Sequence, residues 1–427
     1  EGLSPHRLRK TAFRHSGAGL FLPAEPVQGV DKGLPPHIER RPDEPEQRRL
    51  LRILRAPEGG KAEIVFFNGV NSVSQASDVV SEIVKFMPSS IFLHLSPWDV
   101  VALIACNAVK GIFKYNINLT DHAYWLGASF IDYNLEFRPY GMTVSIEKRG
   151  LNREQELALP YYPISPILSE FEGLPILPEN AIKVFTGGTV YKMLGKDDIF
   201  FKIMERILNI SPNVYIVVAG FDRDARFDKG MANISGKNRV LQIGLRKDID
   251  AIFEHCDIYL GTYPMSGGLM TLYAAKHALP IIAYHDEGDT MNAIEEILNC
   301  CQNKFKSFSD LDILTLYARR LIEDKDFRKS QGELLQRGLM DEKRFDRDFF
   351  YIISHQQSKL RWELDIIDYE ATFDRYLDLE NSNGFMATRH LVSHQKLSSL
   401  KKVKSCRLNL IEIILQKVKS RIKNSLS

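Results

Sequence analysis

The chain has 427 residues, 44% hydrophobic and 26% charged, with 56 Lys plus Arg against 54 Asp plus Glu. That length suits two domains with tails, and a formal charge of +2 names no partner. Five cysteines without Cys-x-x-Cys or Cys/His metal spacing argue against a disulfide framework and set a reducing, cytoplasmic compartment as the expectation, while no apolar run reaches the roughly 18 residues of a membrane span.

Residues 1–60 are rich in Pro, Gly and Arg and weak in apolar periodicity. They read as an irregular or disordered segment with a short helix near 46–54. From 61 the pattern changes. AEIVFFNG (62–69), SIFLHLS (90–96) and GIFKYNIN (111–118) read as buried strands, separated by helices at 74–87 and 99–109. Short apolar runs alternating with helices predict a parallel sheet covered on its faces. The first domain, 61–178, is small, and its opening strands are expected to be missing or hidden in the N-terminal segment. A Pro-rich linker, PYYPISPILSEFEGLPILP, closes it at 160–178.

The second domain, 179–345, is the clearer one. Strands are predicted at 181–188, 213–220, 239–244, 257–264 and 279–285. Helices are predicted at 198–209, 249–255, 268–277, 293–300 and 311–324. A β-α-β order with short connections predicts a doubly wound nucleotide-binding sheet. A helical return segment (346–395) and a basic tail (396–427) follow.

Three strand-end turns in this domain suit an anion. Ser266, Gly267 and Gly268 follow a strand and open a helix, whose free N–H groups and dipole, from Gly268 and Leu269 onward, favour a diphosphate. Thr271 adds a hydroxyl. The plainer alternative is Ser266 as an ordinary helix cap. Gly187 and Gly188 end the domain's first strand, with Lys192 just beyond as a mobile point charge. Arg246, after the strand 239–244, can pair with phosphate bidentately or simply pair with Asp248. In the first domain, Asp121 and His122 follow the strand 111–118. This pair suits acid, base or phosphate-facing work, or a structural histidine. The Asp-x-Asp at 222–224, within FDRDARFD (221–228), has spacing that can hold a divalent ion. It reads better as a solvated loop, and no metal is expected.

With those residues named, 180–345 resembles the donor half of GT-B glycosyltransferases of the group 1 (family 4) type. The likeness rests on TGGTVYK after the first strand, VYIVVAG, the pair RVLQIG and DIYLGTYP, and SGGLMTLYAAKHALPII. It departs from the family at Tyr273, where a Glu usually bonds the donor ribose. It departs again where the family's Arg of a basic pair is replaced by Gly188 or Thr189, with Lys192 retained. The resemblance implies two Rossmann-like domains, a nucleotide-sugar donor and a glycan or lipid-linked acceptor. His122 resembles the histidine near the reaction centre. The implied donor contacts are Gly187, Gly188, Lys192, Arg246, Ser266, Gly267, Gly268, Leu269, Thr271 and Tyr273. Catalysis falls to His122 with Asp121, and no cofactor is implied. A non-catalytic partner subunit and a nucleotide-sugar epimerase are the alternatives on the same fold.

The tail holds nine Lys or Arg and one acid, Glu412, with Ile411, Leu415, Val418 and Ile422 at helical spacing. This is the pattern of a basic amphipathic helix for an anionic membrane surface, at its inner face, or of a helix packed on the body. No nucleic-acid motif accompanies the charge, so none is expected as partner.

Overall fold

A computed structural model describes residues 11–14, 65, 71–95, 99–123, 125–164, 170–299 and 305–382. Glu1–Thr372 form one compact unit and Phe373–Ser427 a second. The expected 46–54 helix, the 62–69 strand apart from Val65, and the basic tail lie outside the described residues. No helix among the described residues is long and apolar enough to cross a membrane.

The first lobe holds β1 (Thr11–Arg14), α1 (Ser72–Phe86), β2 (Ser90–Leu93), α2 (Val100–Ala108), β3 (Phe113–Ile117), β4 (Tyr133–Glu136), α3 (Pro139–Arg149) and β5 (Glu156–Ala158). The five strands are parallel and lie in the order β1-β2-β3-β4-β5. Two findings differ from the sequence expectation. The N-terminal segment is not wholly irregular, because it supplies the edge strand β1. In addition, β4, α3 and β5 carry little apolar signature, because one face of the sheet here is polar, while of the two strands only Leu135 and Leu157 are buried in the apolar core. Asn134 and Glu136 are both fully buried on β4, and Glu156 is buried on β5.

The second lobe holds β6 (Ile182–Gly187), α4 (Ile199–Leu208), β7 (Val214–Ala219), α5 (Ala225–Met231), β8 (Val240–Gln242), α6 (Ile249–Glu254), β9 (Ile258–Leu260), α7 (Gly268–Lys276), β10 (Ile281–Ile282), α8 (Glu295–Asn299), α9 (Leu311–Glu323) and α10 (Lys325–Gly338). Its strands are parallel, in the order β10-β9-β6-β7-β8. The order reverses between β6 and β9, and the crevice outside the carboxyl ends at that point is where doubly wound sheets bind ligands.

Strand alternation explains why the sheet is covered twice. Val184, Ile216, Val218, Ile258 and Ile282 face α4 and α9 in one core. Phe185, Val217, Tyr259 and Ile281 face α6 and α7 in the other. Successive side chains point to opposite faces, and burying each large apolar side chain contributes about 1.5–3 kcal/mol. FDRDARFD divides in two: 221–224 are the expected loop, with Asp222 and Arg223 exposed, while from Ala225 the chain is helical, capped by Asp224, which accepts from Arg226 N at 2.8 Å.

After α10 the chain returns to the first lobe. On α11 (Glu342–His355), Phe345 and Ile352 are buried in the core that holds Phe92 and Tyr115. The following segment runs beside α3, where Asp365 N donates to Thr143 Oγ1 at 2.9 Å. A last described helix, α12, spans Tyr369–Ser382.

Candidate functional site

The turns after β6, β7 and β8 pack backbone on backbone. Gly188 N donates to Ala219 O, and Gly220 N donates to Gly244 O, both at 3.0 Å. A Cβ at Gly220 would lie 2.5 Å from Gly188 O and 2.7 Å from Gly188 N, and its φ of 109° disfavours any side chain. Close approach therefore requires glycine there. Beyond Gly188 a short turn, Val190–Met193, is anchored by the buried side chains of Val190 and Met193. That anchoring fixes where Lys192 stands.

Lys192 is half-buried and its side chain makes no hydrogen bond or ion pair in the described structure. Burial pushes its ammonium below the ordinary lysine value. An unpaired cation in such a place is unfavourable until an anion arrives.

The end of β6 also runs beneath α7: a Cβ at Gly187 would meet Met270 Cε at 3.1 Å. Helix α7 starts without a side-chain cap, with Gly267 at the N-cap position (φ −102°, ψ 87°). Ser266 therefore does not cap it. Its N–H instead donates to Asn292 Oδ1 at 3.2 Å. The N–H groups of Gly268, Leu269 and Met270 find no acceptor among the described residues. The glycine turn, the helix end and Lys192 gather around Thr262 at the strand-end crevice of the switch point: a Cβ at Gly188 would lie 3.6 Å from Lys192 Cδ and 3.8 Å from Thr262 Cγ2, and one at Gly267 3.8 Å from Thr262 Oγ1.

Three expected contacts are corrected. Thr271 is buried and its hydroxyl donates back to Gly267 O at 3.0 Å, so it is spent on its own helix. The Tyr273 hydroxyl donates to Ile164 O in the linker at 3.0 Å, while its ring lies among Phe253 and Tyr259 in the core. Tyr273 pins the linker rather than facing the crevice. Replacing Tyr273 by Phe should cost about 1 kcal/mol of stability, read from denaturant unfolding, with nucleotide affinity unchanged. A tenfold loss of affinity would return Tyr273 to the ligand site.

Arg246 is the third. Its Nε donates to Asp248 Oδ1 at 2.7 Å and its NH1 to Gly173 O at 2.9 Å, with Glu172 Oε2 at 3.3 Å. Only 6% of the side chain is exposed. All three guanidinium nitrogens donate to protein acceptors, so Arg246 clamps the linker to the start of α6.

Two groups among the described residues carry side chains of metal-ligating type. Asp224 is occupied by Arg226, through its backbone N–H and its guanidinium. Asp250, Glu254 and His277 gather within 4.8 Å. However, Asp250 is paired with Lys276 at 2.8 Å and with His277 Nε2 at 2.8 Å, while Glu254 lies off the opposite ring nitrogen at 3.8 Å. With Asp250 engaged by both Lys276 and His277, the group is an ion-pair cluster.

Across the crevice, the turn after β3 presents Asp121 and His122. His122 Nδ1 lies 3.3 Å from Asp121 Oδ1, and about a quarter of the His122 side chain is exposed. Arg149 NH2 donates to Asp121 O (2.7 Å) and Ala123 O (2.8 Å), bracing the backbone on both sides of His122. Arg138 Nε donates to Asp121 Oδ2. Burial alone would raise the Asp121 carboxyl, but Arg138 and His122 outweigh it and hold it below the usual carboxylate range. An ionised Asp121 only accepts, so the hydrogen of this bond sits on His122 Nδ1, and in the neutral ring the lone pair then falls on Nε2.

Beneath this pair, Glu136 Oε1 accepts from Asn118 (2.8 Å), Asn134 (2.6 Å) and Ser145 (2.7 Å). Glu136 Oε2 has no partner and sits where a Cβ on Gly141 would come within 2.3 Å. Burial pushes Glu136 up to about 7, and burial with the Glu136 charge pushes Glu156 up to about 10.

The two halves of the site meet on one segment of the second lobe. Arg138 NH1 lies 3.5 Å from Ala293 O, and Tyr140 N donates to Glu296 Oε2 at 2.8 Å. The neighbouring Asn292, held by Asp289 at 2.9 Å, is the residue that accepts from Ser266 N. Arg138, Arg149, Asn292 and Glu296 were missed in the sequence. A signal for the first existed: Asn134, Glu136 and Arg138 recur every second residue, the spacing of one strand face.

Two parallel-sheet lobes, the second doubly wound, with a return helix completing the first lobe's core, make the GT-B architecture. Structural comparison agrees. Crystal structures of HepE from Anabaena in complex with UDP, and with UDP and glucose, align at 13% identity. They cover 72% of this chain and 88% of HepE, with TM-scores of 0.52 and 0.51. A glycosyltransferase from Rickettsia africae aligns at 12% identity over 68% of this chain and 83% of its own, with a TM-score of 0.50. At such identities the likeness shows the fold. No family model matches the chain, and no curated protein matches it in sequence.

Proposed function

We propose that this chain is a glycosyltransferase that moves a sugar from a nucleoside-diphosphate donor to a glycan or lipid-linked acceptor. The observation that carries the reading is Lys192, a desolvated and unpartnered cation beside the uncapped start of α7 at the sheet's switch point. In the reaction the bond from the anomeric carbon to the diphosphate oxygen breaks, and its electron pair goes to the diphosphate. Lys192 and the N–H groups of Gly268 and Leu269 stabilise that growing charge. Gly187, Gly188 and Gly267 let the backbone approach it. On the facing lobe, Nε2 of His122 is suited to take the proton of the acceptor hydroxyl as its oxygen bonds to the anomeric carbon, with Asp121 stabilising the imidazolium. The positive charge comes from the protein, so the reading requires no metal ion. On sequence grounds alone, 396–427 is the candidate contact with an anionic, cytoplasm-facing membrane surface.

One observation favours a second reading, a donor-binding subunit without turnover. Tyr273 is turned to the linker, and α7 carries no carboxylate for a ribose. A thermal-shift screen against nucleoside diphosphates and their sugars tests the shared part. Ligand at 100 times Kd should add about 2.7 kcal/mol of stability, and no shift with any of them would sink both readings. Nucleotide release with an acceptor present separates transferase from subunit. Conversion of the donor sugar without an acceptor would point to an epimerase instead.

A further inference from the structure

We propose that Arg138 is a positioning residue that ties docking of the second lobe to the orientation of His122, acting through Asp121. The inference rests on the transferase reading for its consequence in catalysis, though not for its geometry. Arg138 sits at the carboxyl end of β4 in extended backbone (φ −155°, ψ 159°), with Pro139 opening α3 behind it. Its guanidinium is 4.8 Å over the Tyr140 ring and 5.5 Å from that of Phe137, which fixes its plane. One edge of the fork holds Asp121 and the other reaches Ala293 O of the second lobe. Only a planar, multi-donor head spans two such acceptors; a lysine ammonium is a single point. The second tie, Tyr140 N to Glu296, closes over the same turn. The segment that Arg138 touches is also the one that holds Ser266 at the glycine turn. A guanidinium fixed at both ends keeps Asp121 Oδ1 aimed at His122 Nδ1, so His122 is set only when the lobes are docked.

The charges around Asp121 support this. His122 and Arg138 face it directly, Arg149 and Glu136 lie behind it, and Glu296 faces Arg138 from the second lobe. Arg138 is the strongest of the groups that keep Asp121 ionised. Without it, Asp121 protonates at higher pH and His122 loses its acceptor.

The test uses the full chain and Arg138→Met, with Arg138→Lys in reserve should the first fail to fold. Imidazole 15N spectra of the ligand-free protein at neutral pH should show His122 as the Nδ1–H form in wild type and as a mixture of tautomers in Arg138→Met. Hydrogen exchange across 289–296 should quicken in both variants. UDP, as a binding probe, should keep its affinity within about twofold, because its proposed contacts lie elsewhere. With UDP-glucose as donor, the acid limb of UDP release should move up by about one pH unit or more. Unchanged His122 spectra together with unchanged exchange at 289–296 would overturn the proposal. Absence of UDP binding by wild type would instead count against the donor site, while the spectra still decide the role of Arg138.

Discussion

Replacing Lys192 by Met should move stability and ligand affinity in opposite directions. The ligand-free protein should melt higher, because a cation without a partner leaves a desolvated crevice and an apolar chain of similar length takes its place. The gain is on the order of 1 kcal/mol. Affinity for a nucleoside diphosphate should fall about 10- to 100-fold, the value of one charge-assisted hydrogen bond of roughly 1.5–3 kcal/mol. The pH dependence has a definite sign. Burial depresses the folded-state value of Lys192, so between that value and the unfolded value near ~10.4 the unfolded chain binds more protons. Wild-type stability then gains with rising pH in that window, and the variant lacks that gain. A bound phosphate removes the effect by restoring the charge. Calorimetric titration with UDP and melting curves from pH 7 to 11 check all three. A variant that binds UDP as tightly as wild type would take Lys192 out of the site.

The second lobe was legible because its chemistry and its packing agree. The strands β7 and β9 are continuous apolar runs and β6 centres on Val184 and Phe185; all three have both faces covered, and each ends at a glycine or small-residue turn. The first lobe was half legible. Helices α1 and α2 lie close to the expected spans, and so do strands β2 and β3. The polar strand β4 was invisible, because Asn134 and Glu136 satisfy one another and their neighbours inside the core. Hydrophobic periodicity cannot register a core built that way. At the site, glycine positions could be read because a turn needs them wherever its side-chain neighbours point. Hydroxyls could not, and a guanidinium only in part: the Arg246–Asp248 pair was one of the two readings, but its tie to Gly173 was not. Thr271 could as well have faced a ligand as its own helix, and the partners that claim Tyr273 and Arg246 lie in the linker, 109 and 73 residues away.

Arg246 turns that difference into a measurement. If it clamps the linker, Arg246→Met should destabilise the fold by about 3 kcal/mol at pH 7, with UDP affinity within about threefold of wild type. The loss comes from Asp248, whose side chain is fully buried. Burial pushes its carboxyl up, but the hydrogen bonds from Arg246 and from Glu172 N bring it below the ordinary value. A carboxylate with a depressed folded-state value stabilises the protein above its unfolded value near ~3.9. That stability is lost as pH falls through the folded value. Removing the guanidinium leaves only the backbone N–H groups of Glu172 and of Asp248 itself, so Asp248 stays buried most readily when protonated. The gap between wild type and variant should therefore narrow as pH is lowered from 7 towards 4, because the variant no longer has a buried charge to keep unpaired. Urea unfolding at several pH values reads that gap directly. A tenfold weaker UDP complex with little change in stability would reverse the assignment and put Arg246 back on the phosphates. The linker would then need another tie to the second lobe, which Tyr273 and its bond to Ile164 supply.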